Sequence, residues 1–150
     1  MIPPGSAVAG AAKRIQFSSL QAQKGETTMA DVEKGIKLLG ELMGEETARG
    51  AYGYFKNFDE GFANVLFNTT FGDIWCRPGL PTKMRSLITV AALIVLGRAP
   101  ELKGHLQGAL RLGWTPEELK EVIIHLSQYG GIPTSVEAIR VFEEVTKKKK

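Results

Sequence analysis

"TPEELKEVIIHLSQYGGIPTSVEAIRVFEEV", residues 115–145, carries two helix starts and no strand pattern. Thr115 stands as N-cap, Pro116 at the first helical position and Glu118 at the third. In that order the Thr hydroxyl and the Glu carboxylate each satisfy a backbone N–H that the first turn leaves open. Val122, His125 and Tyr129 then share one side of the helix. Gly130 and Gly131 stop it, and the spacing of Thr134 and Glu137 predicts a second capping box opening the next helix. "YGGIP", residues 129–133, reads most simply as a helix stop and turn. Its functional alternative is a close backbone approach to a ligand, with amides at the following helix start free to hold an anion.

The same period continues upstream. "TKMRSLITVAALIVLG", residues 82–97, is apolar on nearly every side after Ser86, which predicts a central helix surrounded by others. "APELKGHLQGALRLG", residues 99–113, puts Leu102, His105, Leu106 and Ala109 on one face and stops at Gly113. "NFDEGFANVLFNTTFGDIW", residues 57–75, opens with Asn57 and Glu60 at capping-box spacing and carries Phe62, Val65, Leu66, Phe71 and Trp75. "ADVEKGIKLLGELMG", residues 30–44, has Ile36, Leu39 and Met43 on one stripe, with Gly40 a weak point. No segment alternates with a period of two. The expected fold is all-α, a compact multi-helix bundle with short Gly/Pro turns, and Trp75, Trp114 and the Phe residues are expected in its core.

With 150 residues, 43% hydrophobic and 23% charged, the chain suits one soluble domain. Residues 29–146 form the expected domain, because "MADVEKG" from Met29 reads like a natural start. Residues 1–28 lack an apolar periodicity and the continuous apolar centre of a secretory signal, so they read as a flexible leader or N-terminal extension; a transit peptide is the alternative. The formal charge of +3 misleads, since Lys147–Lys150 form a basic tail of four charges and the first 29 residues add two net. Residues 30–146 then stand at −3, and no nucleic-acid partner is expected. Cys76 is the only cysteine, which rules out an intrachain disulfide, a Cys-x-x-Cys pair and a Cys-based zinc cluster, and suits a cytoplasmic setting. "LITVAALIVL" spans ten residues, too short to cross a membrane.

Candidate chemistry gathers in "WCRPGLPTKMRSL", residues 75–87, where Arg77, Lys83 and Arg85 surround two prolines ahead of that apolar run. A helix N-terminus is already partly positive, so Arg85 calls for an anion: a protein carboxylate such as Glu101, or an acidic ligand. The two histidines, His105 and His125, both fall on apolar stripes and are expected to face inward, as core residues or as catalysts. Two histidines without a third ligand make a poor zinc shell, so no metal is expected. A reactive thiol at Cys76 is a minor alternative.

"RPGL", "RSL", "EL-x-x-H-x-x-x-AL", "G-x-T-PEE" and "YGGIP", in this order and spacing, resemble the carboxymuconolactone decarboxylase family from about Gly35 to Val145. The resemblance implies an alkylhydroperoxidase D-like helical fold, assembled as a homo-oligomer, trimeric or hexameric. One branch of the family is a thiol peroxidase using Cys-x-x-Cys with a histidine four residues later. The matching positions here are Arg98 and Glu101, and Cys76 lies outside the motif. The other branch decarboxylates without a cofactor, acting on 4-carboxymuconolactone to give the β-ketoadipate enol-lactone in aromatic degradation. The positions that match are Arg77, Arg85, His105, His125 and Tyr129. From the reaction's demands, Arg77 and Arg85 are expected to anchor the retained carboxylate and His105 to donate the proton. His125 or Tyr129 would then hydrogen-bond the oxyanion. The alternatives are another small carboxylated substrate, a peroxidase-type antioxidant using Cys76, and a non-catalytic helical assembly.

Overall fold

Val32, Ile36, Leu39 and Leu42 form the buried stripe of the first helix, with Met43 at its margin. The computed structural model describes residues 29–147. The expectations for residues 1–28 and for 148–150 lie outside them. Among the described residues the fold is all-α, as the pattern predicts. Helix α1 is Met29–Met43, α2 Glu45–Phe58 and α3 Glu60–Asn64, which runs on as a π-helix over Val65–Ile74. Then come α4 Thr82–Val95, α5 Ala99–Arg111, α6 Pro116–Gly130 and α7 Ile132–Thr146.

Two apolar clusters hold the bundle together. Val32, Ile36, Leu39, Leu42, Ala48, Phe67 and Trp75 join α1, α2 and the π-helix. Val90, Ile94, Leu102, Leu106, Leu119, Ile123 and Phe142 join α4 to α7. Helices α1 and α5 pack across the boundary. Contact between α1 and the π-helix is backbone-close: a Cβ on Gly35 would lie 1.8 Å from the Phe67 carbonyl oxygen. No side chain fits there.

The capping box at Thr115 forms as predicted, with Glu118 N–H donating to Thr115 Oγ1 at 3.1 Å and Thr115 N–H to the Glu118 carboxylate at 2.8 Å. Two other caps move. Asn57 ends up inside α2, and Asp59 caps α3 instead, accepting from Phe62 N–H at 2.6 Å. Thr134 lies within α7, because the helix starts at Ile132 and tolerates Pro133 in its first turn; the Thr134 hydroxyl donates back to the Gly131 carbonyl at 2.8 Å. The predicted stop between α6 and α7 holds, with Gly131 at φ 88°. Gly130 is demanded by packing, since a Cβ there would sit 3.1 Å from Val95 Cα and 2.8 Å from Thr134 Oγ1. Lys147 terminates α7 and pairs with Glu143 at 3.1 Å.

Helix α4 departs from expectation. It buries Ser86, Val90 and Ile94 but leaves Ile88 54% and the following Leu96 70% exposed. Its neighbours α5, α6 and α7 cover one side, so it is not surrounded.

Candidate active site

The π-helix positions the first half of the site. Its bonds reach one residue further than those of an α-helix, as in Trp75 N–H to the Thr70 carbonyl at 3.0 Å. A π stretch of ten residues is far longer than the usual single-turn bulge. Its rings continue from α2 as a ladder: Tyr52 on Phe67 at 5.1 Å, Phe67 on Phe71 at 5.8 Å, Phe71 on Trp75 at 6.2 Å. Its last rung is His105 of α5, stacked on Trp75 at 6.2 Å and 25°. The expected core role of Trp75 is therefore joined by a second one, a platform for the imidazole.

His105 is half-buried, and burial pushes its pKa below the ordinary histidine value, because the cation loses hydration. The carboxylate of Glu101, one turn earlier, opposes that shift. Glu101 is bound by Arg98. The two positions that hold thiols in the dithiol branch are thus an ion pair. Cys76 is partly buried and donates to the Phe71 carbonyl at 3.2 Å.

The loop after Trp75 answers why cations gather at the start of α4. Arg85 donates from Nε to the Leu80 carbonyl at 3.2 Å and from an Nη to the Arg77 carbonyl at 3.0 Å. Neutral carbonyls, rather than Glu101, hold it. Among the described residues no carboxylate pairs with Arg85 or with the exposed Arg77. Lys83 acts elsewhere. It donates to the Gly113 carbonyl at 2.8 Å and lies 4.4 Å over the Trp114 ring, clipping the start of α4 to the end of α5. One loop therefore joins the two chemistries, with Trp75 against His105 and, two residues on, the Arg77 carbonyl against Arg85.

His125 and Tyr129 stand apart from this neighbourhood. They touch each other, ring centroids 5.1 Å apart, but on the outer face of α6, with Tyr129 70% exposed. The inward orientation expected for His125 is corrected. Its stripe faces an open groove of about 380 Å³ between α4 and α6, walled by Leu87, Ile88, Ala91, Val122 and Leu126 with Glu121 at one end. Val122 is partly buried against the core, whereas His125 and Tyr129 on the same stripe are exposed. No three His, Cys, Asp or Glu side chains among the described residues are grouped to hold a metal ion. Nor is any described helix long and apolar enough to cross a membrane.

Among the described residues, then, the helical bundle carries a half-buried histidine and two arginines with no carboxylate partner. Sequence comparison supplies the assignment. The profile of the carboxymuconolactone decarboxylase family matches residues 60–144, and the chain belongs to that family. It is 39% identical to a 4-carboxymuconolactone decarboxylase of Acinetobacter baylyi, over 77% of this chain and 86% of that one. It is 31% identical to a nitrosuccinic acid decarboxylase of Metarhizium robertsii, over 75% of this chain and 78% of that one. An uncharacterized 15.0 kDa protein of Paracoccus denitrificans is also 31% identical, over 68% and 84%. The chain is accordingly an enzyme of the decarboxylase type.

Proposed function

We propose that this protein decarboxylates a small carboxylated lactone, with 4-carboxymuconolactone the first candidate, and does so without a cofactor. The observation that carries the reading is Arg85: a guanidinium fixed by two carbonyls, with no carboxylate partner among the described residues, offers a preformed seat for a carboxylate. Similarity to the Acinetobacter decarboxylase supports 4-carboxymuconolactone as the first substrate to try.

In this reading Arg85, with Arg77 beside it, anchors the carboxylate that is retained. An equally firm grip on the departing one would stabilise the ground state and slow the reaction. The ring carbon–carboxylate bond breaks, carbon dioxide leaves, and the electron pair passes through the ring double bond onto the lactone carbonyl oxygen. The substrate is its own electron sink. His105, protonated, then gives its proton to carbon as the pair returns from oxygen, and water restores the imidazolium. His125 and Tyr129 remain proposed oxyanion donors; with both on an open face, that role requires the groove beside them to be covered during turnover. The all-helical assembly as a homo-oligomer, trimeric or hexameric, and a cytoplasmic location belong to the same proposal.

A second substrate has its own support in the relative named for nitrosuccinic acid, also a small carboxylated compound. Purified protein incubated with 4-carboxymuconolactone, and separately with nitrosuccinate, tests both. The first should yield carbon dioxide and the enol-lactone. Absence of turnover on the lactone with turnover on nitrosuccinate would exchange the two readings.

A further inference from the structure

Glu101 lies one helical turn before His105 on α5, and its other neighbour is the Arg98 guanidinium, to which it is hydrogen-bonded. A carboxylate four residues N-terminal to a cation is the favourable orientation of a helical charge pair. On the other side His105 meets the uncharged face of Trp75. Among the described residues, α1, α4, α7 and the 75–81 loop present no charged group that acts on the ring, so burial and Glu101 are the two opposed influences on it.

We propose that Glu101, held one turn from His105 by Arg98, is the positioning residue that favours the imidazolium form of His105 against the effect of its burial. Resting on the donor role proposed above for His105, the inference gives a purpose to the positions that carry thiols in the dithiol branch. Here they form an ion pair whose carboxylate favours the charged form of the neighbouring imidazole. Arg98 fixes the carboxylate and tempers its field. Both side chains are substantially open to water, 60% for Arg98 and 42% for Glu101, so the influence on His105 is screened by salt.

The test is a proton NMR titration of the imidazoles in the full-length protein, wild type against Glu101→Gln and Glu101→Asp. The chain has two histidines, so exposed His125 serves as internal reference. In Glu101→Gln the His105 midpoint should move down. Glu101→Asp, which keeps the charge, should bring it back toward wild type. High salt should move wild type in the same direction as Glu101→Gln. On the alkaline side of the pH profile, kcat/KM of Glu101→Gln should fall about twofold, the scale of one helical charge pair. An unmoved His105 midpoint in a folded Glu101→Gln protein overturns the inference. A midpoint that moves while the pH–rate profile stays fixed supports the pairing and overturns His105 as the donor, so the two failures are separable.

Discussion

His105 lies against Trp75 with ring centroids 6.2 Å apart and planes 25° from parallel, at the end of an aromatic ladder that starts at Tyr52. The contact fixes where the imidazole points. Trp75→Phe should keep the fold and lower kcat more than it raises KM, because a smaller ring leaves His105 free to turn. Trp75→Ala should also lose about 3–5 kcal/mol of stability, the usual cost of emptying a buried aromatic site. Urea denaturation and steady-state kinetics of both variants separate the two effects.

Replacing His105 by Gln retains a hydrogen-bonding side chain but no transferable proton. kcat should fall by roughly 10²–10⁴, with little change in substrate affinity. In wild type, kcat/KM should decline as pH rises through the His105 pKa, and burial sets that decline below the ordinary histidine value of 6.5. The sign for stability is opposite. A depressed folded pKa means that the unfolded chain binds more protons between the two values. The contribution is therefore complete above 6.5 and lost as pH falls through the folded value. Denaturation midpoints of His105→Gln should fall less steeply than wild type across that interval.

Arg85 is fastened to carbonyls, which sharpens what its variants should do. Arg85→Met strands no buried carboxylate, so it should cost about 1–2 kcal/mol for the lost hydrogen bonds, rather than the about 3–5 kcal/mol of a broken buried ion pair. Arg85→Lys presents a point charge in place of a fork and should weaken substrate binding or turnover substantially. Equilibrium denaturation of the ligand-free variants, followed by kinetics, checks both. A loss of the larger size in Arg85→Met would return Arg85 to a structural role.

Cys76→Ser should preserve decarboxylation, since the thiol donates to the Phe71 carbonyl, which a hydroxyl can also serve. Abolished turnover in a folded Ser variant would revive the peroxidase-type reading.

Much of the fold was legible from side-chain period and caps. Thr115, Pro116 and Glu118 act locally, within one turn, and the structure realises them as written. Asn57 misled because Asp59, two residues on, is an equally good cap and α2 extends to it. Helix α2 itself gave little signal: Gly50 and Gly53 interrupt it and Ala48 is its buried residue, so packing on α1 rather than propensity decides it. The π-helix carries no sequence mark at all. For the site, Arg85 was legible as a cation in need of a partner, but its partners are main-chain carbonyls, which every residue carries and no sequence distinguishes. His105 and His125 looked alike because an apolar stripe does not say whether anything covers it. Trp75 as a ring platform depends on a contact between two residues on different helical segments, beyond the reach of helical spacing.

The fit of α1 has a consequence for how the domain comes apart. Near its middle the helix passes Phe67 with no room for a Cβ at Gly35, and its C-terminal end meets α5, where a Cβ on Gly108 would lie 3.2 Å from the Leu42 carbonyl oxygen. A helix held this closely at its middle and its C-terminal end cannot slide or tilt to accommodate the loss of one cluster while keeping the other. Melting should therefore be all-or-none, a single calorimetric transition whose van't Hoff and calorimetric enthalpies agree, although the chain has two separate apolar cores. Gly35→Ala, which forces α1 off the π-helix, should split that transition in two, with the Trp75 fluorescence change leading the loss of helix in α4 to α7.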